Sequence, residues 1–575
     1  MRAASTPAIK KRAHRSRAAP DFALKSAWSY PTLAYRLDVT SLSFYLTVAV
    51  LVGSLVLGGG TRSGFLSDAL LQLLTLPVLL CFLWTIFARP LPQQLKVALS
   101  FCLALVVLPL LQLVPLPPWL WTMLHHAEVS SAFEIAGQAM PWMPISVSPQ
   151  ATLLVLLSLI PPLTIFLGVV QLSYRERRWL SLILIGVGIV SVFLGLIQVA
   201  QGPASELRFF EITNPTEAVG FFANRNHFAA FVYCVILFAV AWTIPVATEV
   251  GTKLTERQFD VASMLKAIAA FTILVLLLAG ETMARSRAGL GLTIVALFGA
   301  LVLGLSFQTA FALRPASLRE RFRLDRLLSV SPTKLLAVAI AVTVIFSLQY
   351  ALYRIQGRFE ADPVDDARLV FIPNTIDAAK AYLPFGSGLG TFVSVYPLFE
   401  KAEGALANTY ANHAHSDAAE VFLETGIFGL VLMGLFVTWL AYRSADAWTG
   451  RLPRGASDLD QTLARAATVV IILLLAHSLV DYPLRTGGMM AVMAFACALL
   501  IPPLAQERGP EEVAGEDADF PIVPTISAPR RTRTEPHPVE TKEAPAPRRR
   551  QWGGDINWPK EWTTPEDDQG PPGKQ

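Results

Sequence analysis

Apolar residues in this chain gather in unbroken blocks instead of recurring every three or four positions as they do on a half-buried helix. Blocks of about 18–25 residues match the ~30 Å hydrocarbon layer at the helical rise of about 1.5 Å per residue. A helix apolar on every side is stable only in a core or in lipid. The pattern predicts twelve such helices, at about 42–59, 65–88, 97–114, 150–171, 179–200, 221–247, 264–284, 288–312, 334–353, 417–442, 465–485 and 487–505. The expected fold class is an all-α polytopic membrane protein, with a long segment, 354–416, between the ninth and tenth helices. Residues 1–40 and 506–575 have no apolar block, which gives three parts: a basic N-terminal segment, a membrane domain over 41–505 and a disordered tail rich in Pro, Glu, Arg and Thr.

Composition sharpens this picture. Of 575 residues, 53% are hydrophobic and 16% charged, against about 25% charged in soluble domains, and the mean hydropathy is +0.49. An ordinary soluble enzyme is excluded. A net charge of +4 is too small to argue for nucleic acid as a partner. Cys81, Cys102, Cys234 and Cys497 all fall inside apolar blocks and read as small core residues, not as a zinc or disulfide framework.

Where the charge sits sets the orientation. Lys and Arg are retained on the cytoplasmic side, and alternate loops are rich in them: Arg175, Arg177 and Arg178 in one, and six between Arg314 and Lys334 in another. The short loops of the other side carry only Arg62, Arg208, Arg285, Arg287 and Arg485, and 115–149 carries none. Both termini are therefore expected in the cytoplasm, with 115–149 and 354–416 outside. Trp119, Trp121 and Trp142 in the first of these segments read as an interfacial aromatic belt.

Charges inside a membrane are costly and mark function by default. Here Asp68, Arg225, His227, Glu281, Arg285, Arg287, Glu424, His477 and Asp481 all fall near the outer ends of spans. An ion-coupled transporter would need such groups at the midplane. Four clusters stand out instead. Arg225 lies between Asn224 and Asn226, next to His227, and its guanidinium fork suits a bidentate phosphate contact. Arg285 and Arg287 flank Ser286 as a second arginine turn, and Arg368 precedes a third cluster, Gly386 to Phe392. That glycine run fits neither a dinucleotide fingerprint nor a phosphate loop, so a tight turn approaching substrate or another helix is expected. The fourth is Asn412-His413-Ala414-His415-Ser416-Asp417, followed by Glu420 and Glu424. Asp417 and Glu420 have the spacing of an acidic capping box, and a histidine at a polar helix start suits a general base.

These residues resemble the O-antigen ligase family. The resemblance rests on Val114-Pro115-Leu116-Pro117 with Trp119, on Asn224 through Ala229, and on Ser286-Arg287-Ala288-Gly289. It continues through Gly386–Phe392, His415-Ser416-Asp417 with Glu424-Thr425-Gly426, and Asp481-Tyr482-Pro483-Leu484-Arg485. One departure is Ser416, where the family often has Asn. The resemblance implies a bacterial inner-membrane glycosyltransferase that takes glycan from an undecaprenyl diphosphate carrier by inverting transfer, without metal or cofactor. His415 would be the catalytic base, and Arg225, Arg285, Arg287, Arg368, Asn226, His227, Asp417 and Arg485 would bind substrate. The acceptor would be another carrier-linked repeat for a polymerase, lipid A core for a ligase, or a protein hydroxyl. The long tail and the lack of a large appended outer domain favour a polymerase of exported polysaccharide, with export machinery as a partner of the tail. A lipid-linked glycan transporter is the reading from another class.

Overall fold

The computed structural model describes residues 39–62, 64–124, 127–255, 258, 260–312, 363–401, 411–450 and 455–504. They belong to one compact unit, Met1–Gln506. In order they form α1 (Val39–Leu57), α2 (Leu66–Phe87), α3 (Gln93–Leu113), β1 (Pro115–Leu116), α4 (Pro118–Leu124), α5 (Ala127–Ile135), β2 (Met143–Pro144), α6 (Pro149–Ser158) and α7 (Ile160–Gln171). There follow α8 (Tyr174–Gln201), α9 (Arg225–Thr255), α10 (Val261–Ala284), α11 (Arg287–Ala312), α12 (Pro363–Ala381), α13 (Phe392–Val395), α14 (Asp417–Thr449), α15 (Asp458–His477) and α16 (Gly487–Leu499). Among the described residues nine helical segments are long and apolar enough to cross a membrane, α6 and α7 together making one, while α1 and α16 supply shorter apolar stretches. The expected span at 334–353 lies outside the described residues. The protein is an all-α polytopic membrane protein, and its only sheet among the described residues is the antiparallel pair β1–β2.

The centre of the bundle is α9, 78% of whose span is buried. It packs against α10, α11 and α15, and Phe228, Phe231, Tyr233 and Phe238 lie fully buried along it. By contrast only 17% of the α3 and α10 spans is buried, so their apolar surface faces outward, as lipid requires. The ends of the helices are closed in ways the sequence encodes. Ser173 and Glu176 form a capping box at α8, and Ser457 and Asp460 form another at α15. Arg177 donates to the carbonyls of Val169 (2.9 Å) and Ile501 (2.6 Å), and Arg443 to that of Leu500 (2.8 Å). These basic residues thus satisfy the orphan carbonyls at the ends of α7 and α16.

Two spans depart from the expected bounds in ways that shape the site. The span expected at 465–485 stops at His477; Pro483 has no N–H to continue a helix, and Tyr482 before it has left helical backbone (φ −128°, ψ 51°). Residues 478–485 therefore fold back as a turn. The helix starting at Asp417 is broken at Gly426 (φ 58°, ψ −139°), where a Cβ would lie 2.1 Å from the Pro384 carbonyl oxygen. The glycine run approaches that break, since a Cβ on Gly386 would sit 2.4 Å from the Glu424 backbone. The run is a tight turn against another helix, one of the two alternatives its sequence allows. Of the three tryptophans expected in an interfacial belt, Trp119 and Trp142 are exposed but Trp121 is buried, its Nε1 donating to the Pro144 carbonyl (2.9 Å).

Between α1 and α2, a loop links distant parts of the chain. The Gly58 carbonyl accepts from Gly488 N (2.8 Å) and that of Gly59 from Ala223 N (3.0 Å). The Thr61 carbonyl accepts from Asn412 Nδ2 and His413 Nε2, both at 3.0 Å.

Candidate active site

The start of α9 is organised by asparagines. Arg225 N donates to Asn214 Oδ1 and Asn226 N to Asn224 Oδ1, both at 2.8 Å, which satisfies two of the N–H groups a helix start leaves open. Arg225 pairs with Glu217 at 2.9 Å. Its neighbour Asn226 reaches inward and donates to Asp481 in the turn that follows α15.

Asp481 is fully buried and gathers three donors: Asn226 Nδ2, its neighbour Tyr482 N (3.0 Å) and His415 Nδ1 (3.2 Å). Burial opposes its ionisation, but the His415 hydrogen bond and the nearby imidazoles outweigh that and hold its carboxyl far below the usual carboxylate range. With Nδ1 on Asp481, the His415 tautomer that donates there carries its lone pair on Nε2, on a ring that is partly exposed. That is the arrangement of a histidine base oriented by a carboxylate. His415 also holds a left-handed backbone (φ 53°), which a non-glycine residue keeps only where its surroundings fix it.

His413 is differently employed. Its Nε2 faces the Thr61 carbonyl, which can only accept, so that nitrogen carries a proton. Its Nδ1 lies 2.9 Å from Glu420 Oε1, where a second proton is shared with the carboxylate. Burial opposes the charge, but Glu420 raises the pKa of His413 above its ordinary value. The two histidines thus turn to different acids, Glu420 and Asp481. Three histidines surround one ring: Tyr482 lies 4.1 Å from His413, 4.9 Å from His227 and 5.1 Å from His415, centroid to centroid. His227 is fully buried.

Beside them lies a second charged group. Arg485 Nη1 binds Glu424 at 2.8 Å, and its Nε lies 3.4 Å from Asp417 and 3.7 Å from Glu420. Burial lowers the pKa of this guanidinium, yet the three carboxylates more than compensate and raise it. Asp417 also accepts from Ser478 Oγ at 2.6 Å. Asp417 and Glu420 are therefore not the capping box their spacing suggested. Ser416 caps α14, accepting from Ala419 N, and the two acids are committed to this network.

Arg285 and Arg287 lie at the corner between α10 and α11. Arg285 ends α10 in a left-handed conformation (φ 54°), and Ser286 Oγ accepts from Gly289 N (2.9 Å) to start α11. A Cβ on Gly289 would sit 2.5 Å from that of Ala229, so α11 and the first turns of α9 touch, which brings the two arginine motifs to neighbouring helix starts. Arg368 is in α12, three residues before Phe371, whose ring stacks on His415.

The expected residues Asn226, His227, His415, Asp417 and Arg485 thus converge, while Arg225 and Arg287 open adjoining helices and Arg285 closes α10 beside them. The charge of Arg485 is engaged by three acids. Asp481 and Tyr482 were not among the expected site residues, although an acid and an aromatic directly before Pro483 signal a turn where a span should be. Among the described residues no three His, Cys, Asp or Glu side chains come together to hold a metal ion.

No curated protein matches the chain. Residues 262–434, which run from α10 into α14 and hold Arg285, Arg287, Arg368, His415 and Asp417, match the family model described as O-antigen ligase.

Proposed function

We propose that the protein is an inverting glycosyltransferase of the bacterial inner membrane that polymerises undecaprenyl-diphosphate-linked repeat units at the outer face. The observation that carries this reading is His415, turned by Asp481 so that Nε2 is the basic nitrogen. In the reaction an acceptor hydroxyl loses its proton to His415 Nε2 as its oxygen bonds the anomeric carbon. The bond from that carbon to the carrier phosphate breaks, and the carrier diphosphate leaves with the electron pair. Diphosphate is a good leaving group that needs its charge neutralised more than it needs a proton. Arg225, Arg285, Arg287 and Arg368 are the proposed cations, because guanidinium forks match phosphate oxygens. Asp481 stabilises the imidazolium that forms. No second carboxylate is needed, in contrast to a glycosidase, which activates water between two.

This reading keeps 1–40 and 506–575 in the cytoplasm and puts 115–149 and 354–416 outside, as the Lys and Arg asymmetry supports. The description of the matching family favours a second reading, in which the acceptor is lipid A core and the enzyme is a ligase. Proteoliposomes with carrier-linked donor test both. Release of carrier diphosphate that requires a second carrier-linked repeat identifies a polymerase, and release that requires lipid A core identifies a ligase. His415→Ala should abolish release in either case while donor binding persists. Release that proceeds undiminished in His415→Ala refutes the mechanism.

A further inference from the structure

A hydrogen bond at one nitrogen does not by itself aim an imidazole. With Nδ1 held by Asp481 (3.2 Å), the His415 ring can still turn about that contact, and Nε2 would then swing along an arc. Two aromatic rings remove this freedom. Phe371 lies against the face of the imidazole, 6.2 Å between centroids and 19° between planes. Tyr482 meets it edge-on, at 5.1 Å and 68°. The two rings come from different elements, α12 and the turn after α15. Phe371 is itself fixed by Tyr396, edge-on at 5.5 Å, and Tyr396 by Phe392, stacked at 5.0 Å. These residues, with Ala414 directly before His415, belong to a small apolar core separate from that of the main bundle.

From this geometry we infer that Phe371 is a positioning residue for transfer: its ring sets the plane of His415 and so aims Nε2 at the acceptor hydroxyl. The inference rests on the reading of His415 as the base. It gives the segment between the expected ninth and tenth spans a role in the chemistry, since the helix that carries Arg368 also sets the base.

Misplacing a reacting atom by about 1 Å costs on the order of 100-fold in rate. The full-length protein in proteoliposomes, carrying Phe371→Leu, Phe371→Tyr or His415→Ala, tests this. Phe371→Leu should lower kcat by roughly 10–100-fold, leave the KM for the carrier-linked donor within about twofold and alter the pH profile of kcat, while Phe371→Tyr, which keeps the flat ring, restores most of the rate. A residue that served only the small core would lower the thermal midpoint and leave kcat per folded molecule and the pH profile unchanged. That outcome, or a Phe371→Leu protein with wild-type kcat, overturns the inference. Phe371→Met is the second non-aromatic variant should the leucine chain not accumulate. If His415→Ala is inactive and Phe371→Leu is not, the positioning role alone fails. If His415→Ala is active, the proposed mechanism fails with it.

Discussion

Replacing Asp481 by Asn keeps the shape of the side chain and removes its charge. The amide oxygen can still accept from His415 Nδ1 and Tyr482 N, which share Oδ1, while its NH2 would face Asn226, whose own amide can turn to accept it. The fold should therefore survive, and what is lost is the attraction between the carboxylate and the imidazolium formed during transfer. At the observed 3.2 Å that attraction is roughly 5 kcal/mol for an effective dielectric near 20. A charge-assisted hydrogen bond contributes about 1.5–3 kcal/mol net. At about 1.4 kcal/mol per decade, these two figures bracket a loss of roughly 10–4000-fold. We expect a fall of about 100-fold in kcat, with the KM for donor unchanged, because Asp481 is not one of the proposed diphosphate contacts. Initial rates of carrier diphosphate release in proteoliposomes, normalised to folded protein, measure this. An Asp481→Asn enzyme within about threefold of wild type would refute the paired mechanism, since the oriented base would then owe nothing to its acid.

Two further outcomes concern stability. Arg485→Ala leaves Asp417, Glu420 and Glu424 buried without their shared cation. Breaking a buried ion pair from one side costs about 3–5 kcal/mol, so the thermal midpoint in detergent should fall steeply, and an unchanged midpoint would show that the acids do not need the guanidinium. His413 has a pKa above its ordinary value of 6.5 in the folded protein, so its proton stabilises the fold. That contribution is complete below about pH 6.5 and is lost as pH rises through the folded value. The thermal midpoint should thus decline over that window, and His413→Gln should flatten the slope. The same slope in both proteins would exclude His413 as its source.

Much of this architecture was legible before any coordinates. Apolar blocks give spans directly, because lipid admits no backbone that is not hydrogen-bonded within itself. The motif residues on both sides of a break, such as Asn226 and His415, could be named from local pattern. What local pattern does not contain is which charges meet across the bundle. Arg485 reads from the sequence as a substrate-binding outer cation, yet its 2.8 Å partner is Glu424, 61 residues away in sequence. Its neighbourhood was hidden for the same reason: the span was read as running on through 478–485, although Asp481, Tyr482 and Pro483 there signal a turn. The acids Asp417 and Glu420 fit a capping rule in spacing, but Ser416 already did that work, which released them for ion pairing.

The loop joining α1 and α2 has a consequence for how the protein is made. Its carbonyls at Gly58, Gly59 and Thr61 are each completed by a different segment: the start of α16, the residues before α9 and the histidine loop. Helices enter a bilayer in the order of synthesis, so these carbonyls acquire their partners only as each later segment arrives, and Gly488 comes last. A carbonyl without a partner in a poorly hydrated place is costly. The loop between α1 and α2 is thus held incomplete until α16, the last of the described helices, supplies Gly488 N, after the His413 loop has taken its place on Thr61. A product stalled before α16 therefore carries the histidine loop beside a first loop that still lacks its Gly488 partner.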